Sequence, residues 1–397
     1  MKNINLFLLI FFSFTFLQAG QHYQVFDISP RSAFSSEATD INDQGVIVGV
    51  YSLTNKSHAT AFLWDKEKGF QDLVDLKVDS KSSKFTPPKI NNLGHVIGTE
   101  MTGGTWRELW TTYQRPFIWT PEKGKRIINP RPKGEFVPLS INDHDQVLMI
   151  ATYPCGCEPH RFWVWQEGSL GEFDEIIKKI NPQYLSNDQI IVGSLIGSLD
   201  NEIKAPLESP LLYNFQDKSV DIIPYPEGMK YGTVLMINNK GEALLVFREK
   251  PLLTSTEKYY LYNVDTGLKE LPAGFLPLSL NNHGEIIGLT KSKNMTVDIY
   301  ERGALKKTKI SSLEKTDQFH LYENGDLQKI TVNSDDPDFV MVTDIVKMND
   351  GRQLVGKALY SVRGHLQQRA VFLVPTEDSR LIYRLKNLSG NAESPRQ

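Results

Sequence analysis

Seven stretches of the chain share one pattern of apolar and polar positions. In each, an apolar residue precedes an Asn, polar residues follow, and a run of β-branched or other apolar residues comes next, as in "TDINDQGVIVG" at 39–49. An apolar run without alternation is typical of a strand that is covered on both faces. The Asn positions are Asn42, Asn91, Asn142, Asn238, Asn281 and Asn349, with Ser186 in the fourth copy.

The polar centre of this pattern predicts a tight hairpin turn. An Asn side chain can cap such a turn, and Gly adopts the left-handed backbone conformation that other residues resist, so the pattern encodes a short type I turn with a bulge. Asp145 replaces the Gly in the third copy and tolerates positive φ. Gln189 in the fourth copy predicts a different turn. The turn glycines are Gly45, Gly94, Gly241 and Gly284.

A second pattern follows the first in each of six units. It joins an aromatic-rich strand, a polar turn and another short strand, as in "AFLWDKEKGFQDL" at 61–73, and it falls at 297–310 in the sixth unit. Successive Asn or Ser anchors are 49, 51, 44, 52, 43 and 68 residues apart. A period in the forties with two hairpins per unit favours a propeller. We therefore predict an all-β chain folded as a β-propeller with seven four-stranded blades.

The long sixth interval leaves room for an eighth blade. It contains a hairpin-like stretch at 318–332, with Asn324 and Gly325 as a tight turn. Residues 23–28 are predicted to close the ring by completing the blade that 370–374 begins, and 380–385 competes for that place. One propeller domain at 21–386 and a disordered polar tail at 387–397 follow from these assignments.

The two patterns together resemble those of the HAF-repeat family of extracellular proteins, whose units pair an "AFLW"-type strand with "IN-x-x-G-x-VVG". The likeness spans about residues 38–375 and is closest at 38–49 and 61–64. The His-Ala-Phe triplet is never intact, since His58 lies four residues before Phe62, and copies four and five carry Tyr213 and Tyr262 in place of Trp. The resemblance implies an extracellular repeat protein and no particular activity.

The first 20 residues predict a secretory signal peptide. Lys2 supplies the positive charge, 4–17 is apolar, and the small residues Ala19 and Gly20 follow. The apolar run is shorter than the roughly 20 residues of a membrane span. We expect a secreted or periplasmic protein that does not insert into the membrane after cleavage.

Charge and motifs narrow the function by exclusion. The net charge is −3 and no dense basic run occurs, which argues against a nucleic-acid partner. The chain lacks nucleophile-elbow, metalloprotease, P-loop and dinucleotide motifs, and we expect no cofactor. We predict a monomeric, rigid binding scaffold for a protein, peptide or glycan. The alternative is a hydrolase or lyase acting on an extracellular polymer, with residues from several blades around a central channel.

An enlarged connection at 103–119 is the predicted ligand-binding segment. It carries large aromatic residues outside the repeat pattern, and Trp, Tyr and Arg concentrate at binding hot spots. Packing of these rings over a blade edge is the structural alternative. The candidate binding residues are Trp106, Arg107, Trp110 and Tyr113.

Both cysteines of the chain lie close together in "YPCGCEPH" at 153–160. An exported protein usually oxidises paired cysteines, so a local disulfide between Cys155 and Cys157 is the leading interpretation. Free thiols and a metal site completed by His160 are the alternatives. The spacing matches no standard zinc site, and we predict no metal.

Overall fold

The computed structural model describes residues 20–54, 58–79, 86–101, 114–128, 135–152, 161–167, 169–172, 180–195, 209–250, 257–290 and 319–390. Within them the chain forms 28 β-strands and one α-helix. The first strand, β1 (Gln21–Asp27), stands apart in sequence from the group of strands that it joins. The others follow in six groups of four and a last group of three.

Five groups form separate antiparallel four-stranded sheets, here called blades 1 to 5. Blade 1 contains β2 (Ser35–Ile41), β3 (Ile47–Ser52), β4 (His58–Asp65) and β5 (Gly69–Asp79). Blade 2 contains β6 (Lys89–Ile90), β7 (Val96–Met101), β8 (Gln114–Thr120) and β9 (Gly124–Ile127). Blade 3 contains β10 (Glu135–Ile141), β11 (Val147–Thr152), β12 (Arg161–Gln166) and β13 (Ser169–Glu172). Blade 4 contains β14 (Ile180–Leu185), β15 (Ile190–Leu195), β16 (Ser209–Asn214) and β17 (Val220–Ile222). Blade 5 contains β18 (Tyr231–Ile237), β19 (Ala243–Arg248), β20 (Glu257–Asn263) and β21 (Gly267–Glu270).

The remaining strands form one eight-stranded sheet that contains two blades. Blade 6 contains β22 (Phe275–Leu280), β23 (Ile286–Thr290), β24 (Phe319–Glu323) and β25 (Asp326–Asn333). Blade 7 contains β26 (Phe339–Met348), β27 (Leu354–Val362), β28 (His365–Pro375) and β1. The predicted β-propeller of seven four-stranded blades is confirmed for the described part of the chain.

The N-terminal strand closes the ring as predicted. β1 pairs antiparallel with β28, with Tyr23 opposite Pro375 and Asp27 opposite Val371. Its other edge pairs in parallel with β25, with Gln21 opposite Ile330. The outer edges of blades 6 and 7 are therefore joined.

Residues 380–385 are not a strand, because they lie in the helix α1 (Ser379–Gly390). Helical spacing places Leu381 and Leu385 on one face, where both are buried against Ile28 and Phe372. α1 also runs past residue 387, where the tail was predicted to begin. No helix in the described ranges is long and apolar enough to cross a membrane.

No eighth blade occurs among the described residues. The stretch predicted as a degenerate extra hairpin forms β24 and β25, and β24 pairs with β23 so that Tyr322 lies opposite Ile286. The assignment of the outer hairpin of the sixth unit to 297–310 was therefore wrong, and that segment lies outside the described residues. Asn324 and Gly325 form the tight turn with φ of 52° and 102°.

The hydrophobic core is divided among the interfaces between neighbouring blades. One cluster joins Val48 and Leu63 of blade 1 to Val96 and Phe117 of blade 2. Similar clusters join blades 3 and 4, blades 5 and 6, and blades 7 and 1. Neighbouring blades cover both faces of each blade's sheet. This explains the apolar runs without alternation.

The Gly that closes the first pattern makes room for an aromatic ring. Gly49 lies opposite Phe62 in the neighbouring strand. A Cβ on Gly49 would lie 2.3 Å from the Glu37 carbonyl oxygen and 2.5 Å from the Phe62 ring. Gly98 and Phe117 repeat this arrangement in blade 2.

All seven turns between the first and second strands of the blades adopt one conformation. The third residue after the anchor has positive φ throughout: Gly45, Gly94, Gly241 and Gly284 at 75–79°, Asp145 at 58°, Gln189 at 60° and Arg352 at 57°. The different turn predicted at Gln189 was wrong, because its N–H donates to the Ser186 carbonyl and the Ser186 N–H donates to Ile190, as in the other copies. Pairing of the flanking strands imposes the turn even on an unfavourable residue.

The anchor asparagines form a ladder of hydrogen bonds from blade to blade. Asn42 Nδ2 donates to the Asn91 carbonyl at 3.0 Å, and Asn91 Nδ2 donates to the Asn142 carbonyl at 2.9 Å. Asn142, Asn238 and Asn281 each donate to the anchor carbonyl of the following blade, and Asn349 Nδ2 closes the circle on the Asn42 carbonyl at 3.0 Å. Ser186 has no side-chain N–H for this bond.

The same asparagines accept N–H groups of their own turns through Oδ1, and four of them also donate to the side chain four residues on: Asn142, Asn238, Asn281 and Asn349. Asn142 Oδ1 accepts the N–H of His144 and of Gln146, and Nδ2 also donates to the Gln146 side chain. Only 3% of Asn142 is exposed. The position thus needs an acceptor and two donors in one short side chain, which only Asn supplies.

Replacing Gly94 with Val should lower the free energy of unfolding by about 1–2 kcal/mol, because a β-branched residue resists positive φ. A Cβ there would meet no atom within 4 Å, so steric overlap does not enter. Gly94→Asn should cost less. Urea melts of the two variants measure the difference, and equal costs would show that backbone conformation is not the reason for this Gly.

Replacing Asn142 with Asp should cost about 3 kcal/mol or more, since a buried carboxylate of the same shape cannot donate to the Ser186 carbonyl. Asn239→Asp is the matched control: the equivalent positions Asp43, Asp143 and Asp350 already carry Asp. Denaturant melts should show a near-neutral control. A tolerated Asn142→Asp would mean that the ladder contributes little.

Candidate functional site

The first strands and anchor turns of all seven blades surround a central channel with a cavity of about 300 Å³. The anchor turns and the turns between third and fourth strands lie on one face of the ring, here called the turn face. Connections between second and third strands leave on the opposite face, here called the loop face. The two faces differ in what they offer a ligand.

The turn-face mouth is ringed by the residue that follows each anchor. Asp43 N donates to Asn92 Oδ1, Asn92 N to Asp143 Oδ1, and Asp143 N to Asn187 Oδ1, at 2.7–2.9 Å. Bonds of the same kind run from Asn239 through Asn282 and Asp350 back to Asp43. A second circle of hydrogen bonds therefore surrounds the anchor ladder.

The carboxylates of this mouth are already satisfied. Asp43 accepts from the Asp350 N–H through Oδ1 and from Asn92 Nδ2 through Oδ2. Asp143 and Asp350 also accept N–H donors on both oxygens. No group of three or more His, Cys, Asp or Glu among the described residues has metal-binding geometry. The three mouth carboxylates thus hold neighbouring blades together.

Deeper in the channel, the residue two places before each anchor differs from blade to blade. These seven residues are here called the variable tier. A β-bulge directly precedes it in blades 1 and 3 to 7, and bulges commonly re-aim a side chain next to a functional site. The variable tier consists of Asp40, Lys89, Ser140, Tyr184, Met236, Ser279 and Lys347, all of which line the cavity.

The order of the variable tier around the ring separates charge from apolar surface. Lys347, Asp40 and Lys89 belong to the consecutive blades 7, 1 and 2. Tyr184 and Met236 belong to blades 4 and 5, which lie across a seven-membered ring from blade 1. The Lys89 ammonium group nevertheless reaches the Tyr184 ring, so a ligand in the channel would meet Asp40 and Lys347 on one side and Tyr184 with the Lys89 ammonium group on the other.

Asp40 is held by backbone donors from two blades. Its Oδ1 accepts the Ile41 N–H at 3.0 Å, and its Oδ2 accepts the Ile90 N–H at 3.1 Å. Burial raises the pKa of Asp40, and the nearby Lys347 and Lys89 ammonium groups and the two N–H donors only partly offset this. The ionised form of Asp40 is thus less stable in the channel than it would be in water.

Lys89 reaches along the channel wall past blade 3. Its Nζ donates to the Leu139 carbonyl and lies 5.2 Å from the centre of the Tyr184 ring. Burial lowers the pKa of Lys89, the Asp40 carboxylate opposes that effect, and Lys347 adds to it. Burial and the charge of Asp40 raise the pKa of Tyr184.

The fold does not require these charges. Met236 lies at the same position before the same turn in blade 5. The backbone therefore forms this turn with an apolar side chain as well. Placing ionisable groups in a partly desolvated channel costs free energy, and perturbed pKa values cluster at functional sites. The variable tier is therefore the best candidate functional site in the described part of the chain.

The sequence-predicted binding residues Trp106, Arg107, Trp110 and Tyr113 lie outside the described residues. The strands on either side of them, β7 and β8, pair at Met101 and Gln114 on the loop face. Cys155, Cys157 and His160 also lie outside the described residues. Their flanking strands, β11 and β12, likewise end on the loop face, in the next blade.

Sequence reasoning missed the variable tier. The tier brings together one Asp, two Lys and one Tyr, while three further carboxylates, those of Asp43, Asp143 and Asp350, line the mouth of the same cavity. His144 and His283 are exposed turn residues. The sequence signal for this tier is the position two residues before each anchor. Charged residues occur there in some copies of the repeat and not in others, whereas the positions that follow agree in most copies.

Solved structures with a similar fold include several enzymes. Oligogalacturonate lyase from Vibrio parahaemolyticus has a TM-score of 0.55 and 12% identity over 88% of this chain and 93% of that chain. A prolyl endopeptidase has a TM-score of 0.51 and 11% identity over 87% of this chain and 51% of that chain. Acylaminoacyl peptidase from Pyrococcus horikoshii has a TM-score of 0.50 and 11% identity over 85% and 53%.

These similarities establish the fold alone. The chain spans about half the length of the two peptidases. No protein-family model and no curated protein sequence matches it.

The pKa of Asp40 is higher in the folded than in the unfolded chain, so the free energy of unfolding should fall as pH rises from the unfolded pKa of about 3.9 through the folded pKa. Asp40→Asn should remove this fall, because the amide does not ionise, although its Nδ2 cannot accept the second of the two N–H groups that the carboxylate binds. Urea melts of the parent protein and of Asp40→Asn between about pH 4 and pH 7 measure the two slopes, with the exposed Asp265→Asn as control. Equal slopes in the parent protein and in Asp40→Asn would contradict the assignment.

Proposed function

We propose that the chain is an exported binding protein whose rigid ring holds a protein, peptide or glycan ligand at the loop face and in the central channel. The observation that carries this proposal is the variable tier. The residue types at these seven structurally equivalent positions do not follow the sequence repeat. Three of the seven side chains are charged in a partly desolvated cavity. Asp40 and Lys89 each form a hydrogen bond to the backbone of the next blade. However, Met236 at the equivalent position shows that the fold does not need a charge there, and ligand recognition would explain the charges.

The ring provides the rigidity that such a site needs. The ladder and the mouth circle fix the blades around the channel. The residues that line it therefore lose little conformational freedom when a ligand binds. A preorganised site loses less entropy when a ligand enters. The channel cavity of about 300 Å³ is at the small end of ligand pockets, which limits the inserted group to a few atoms across.

The loop face supplies the larger contact surface. The connections between second and third strands span 12, 8, 13, 8 and 28 residues in blades 2 to 6, whereas the turn-face connections are short and repeat one conformation. Binding residues concentrate on loops that a rigid scaffold positions. The segment with Trp106, Arg107, Trp110 and Tyr113 belongs to this set and is retained as part of the proposed ligand-binding surface.

Export and family membership are part of the same proposal. The apolar leader supports cleavage near Gly20 and a secreted or periplasmic location. The resemblance to HAF repeats supports an extracellular protein. Both are tested by the mature N-terminus, which mass spectrometry of the protein recovered outside the cytoplasm would identify.

Catalysis on an extracellular polymer is the second candidate function. Lys89, whose pKa burial lowers, lies near Asp40, whose pKa burial raises, and a buried Lys can serve as a general base. The fold is shared with a lyase and with peptidases. On this hypothesis Lys89 would remove a proton from the substrate and Asp40 would return one to the leaving group.

A glycan and peptide array with the mature protein tests the binding proposal. We expect a ligand whose affinity falls at least tenfold in Tyr184→Leu, because the ring faces the channel, and stays unchanged in Tyr383→Leu, whose side chain is 70% exposed on α1. A joint Trp106→Ala and Trp110→Ala variant reports on the loop segment. A ligand affinity that Tyr184→Leu leaves unchanged would refute a binding site in the channel.

Incubation of the array ligand with the protein separates binding from catalysis. Mass spectrometry would detect a gain of water in hydrolysis products or unsaturated products of elimination. Cleavage that Lys89→Met abolishes would favour the enzymatic hypothesis over the binding proposal. An intact ligand after long incubation supports binding.

A further inference from the structure

We propose that the group bound in the channel is an acidic sugar residue, with its carboxylate between Lys347 and Lys89 and one face of its ring against Tyr184. This inference rests on the proposed function and narrows it to a ligand class. It follows from the charge, the shape and the unused hydrogen-bonding groups of the variable tier.

The variable tier carries an excess of positive charge. It contains two ammonium groups and one carboxylate, and Asp40 already accepts two backbone N–H groups. No described residue forms a hydrogen bond or an ion pair with the Lys347 side chain, although Lys347 lines the cavity. An ammonium group in a cavity without a partner favours an anionic ligand.

The carboxylates at the turn-face mouth add negative charge to the cavity lining, but they form no described ion pair with Lys89 or Lys347. Asp43, Asp143 and Asp350 direct both oxygens at N–H donors of neighbouring blades. The Glu37 and Asp344 carboxylates, five residues before their anchors, are paired with Lys357 at 3.3 and 3.4 Å. Lys347 acts electrostatically on Asp40, but its ammonium group forms no ion pair at close range with a described carboxylate.

The opposite wall fits a sugar ring. Tyr184 presents an aromatic ring to the cavity, with Met236 beside it and Leu278 nearby. Carbohydrate rings have an apolar C–H face and a polar edge, so they match a channel with aromatic residues on one side and charges on the other. A uronic acid adds the carboxylate that the lysines require.

The donor set favours a carboxylate over a phosphate group. Phosphate sites commonly use Arg forks or free backbone N–H groups at nests and helix N-termini. The channel's charged wall has Lys ammonium groups, and the N–H groups of the anchor turns are engaged in the ladder and the mouth circle. A compact carboxylate on a sugar ring is the ligand group that remains.

Calorimetric titration of the mature protein with galacturonic and glucuronic acid, and with their disaccharides, tests the inference. The methyl esters of the same sugars are matched ligands without the charge. We expect the acids to bind at least tenfold more tightly than the esters, with an affinity that falls as salt rises. Lys347→Met should remove the preference for the acid, and Lys89→Met should weaken it.

Lys68→Met is the matched protein control, because Lys68 is exposed on an outer turn of blade 1. It should bind the acids as the parent protein does. Melting curves of all variants would identify any loss of fold. Equal binding of acids and esters, or an unchanged preference in Lys347→Met, would overturn the inference.

A ligand that binds through Tyr184 but carries no acidic sugar would leave the proposed function standing and overturn this inference. An acetylated dipeptide with a free carboxylate is included for that reason, because binding as tight as that of the acids would show a carboxylate site without sugar recognition. Absence of any ligand that depends on Tyr184 would overturn both proposals.

Discussion

The architecture depends on the need of a buried Asn to satisfy every polar atom of its amide. Each anchor Asn uses its oxygen to accept N–H groups of its own turn, and at least one of its Nδ2 N–H groups must find an acceptor outside the blade. The nearest one is the anchor carbonyl of the next blade. Repeating this condition around the molecule links the blades at equal spacing, because an unsatisfied buried donor is expensive.

The ladder also explains which parts of the sequence are constrained. Anchor, turn and closing Gly recur in most blades because each solves the same geometric problem, with Ser186 as the anchor of blade 4 and Met149 and Leu245 at the closing position of blades 3 and 5. The variable tier lies only two residues away on the same strands, yet its side chains differ in size and charge. In a repeat protein, a residue type that recurs at equivalent positions indicates a structural role shared by all copies. Residue types that differ at equivalent positions facing a cavity indicate a role of the assembled ring and not of the single repeat.

The fold could be predicted largely from the sequence because its determinants are local. The Asn-Gly turns, the period and the closing strand 23–28 are each readable within a few residues. The errors at Gln189, at 297–310 and at 380–385 arose where pairing with distant strands or packing of Leu381 and Leu385 overrode a local pattern. The channel site could not be predicted in the same way, since Asp40 and Lys347 are about 300 residues apart and only ring closure brings them together.

The position of β1 between β28 and β25 has a consequence for how the chain reaches its native state. The strand that is synthesised first has both of its partners near the end of the chain, with Gln21 opposite Ile330 and Tyr23 opposite Pro375. Its pairing closes a loop of more than 300 residues, and contacts between such distant residues slow folding. Neither edge of β1 therefore has its native partner until β25 and β28 have been synthesised, and ring closure must follow that point.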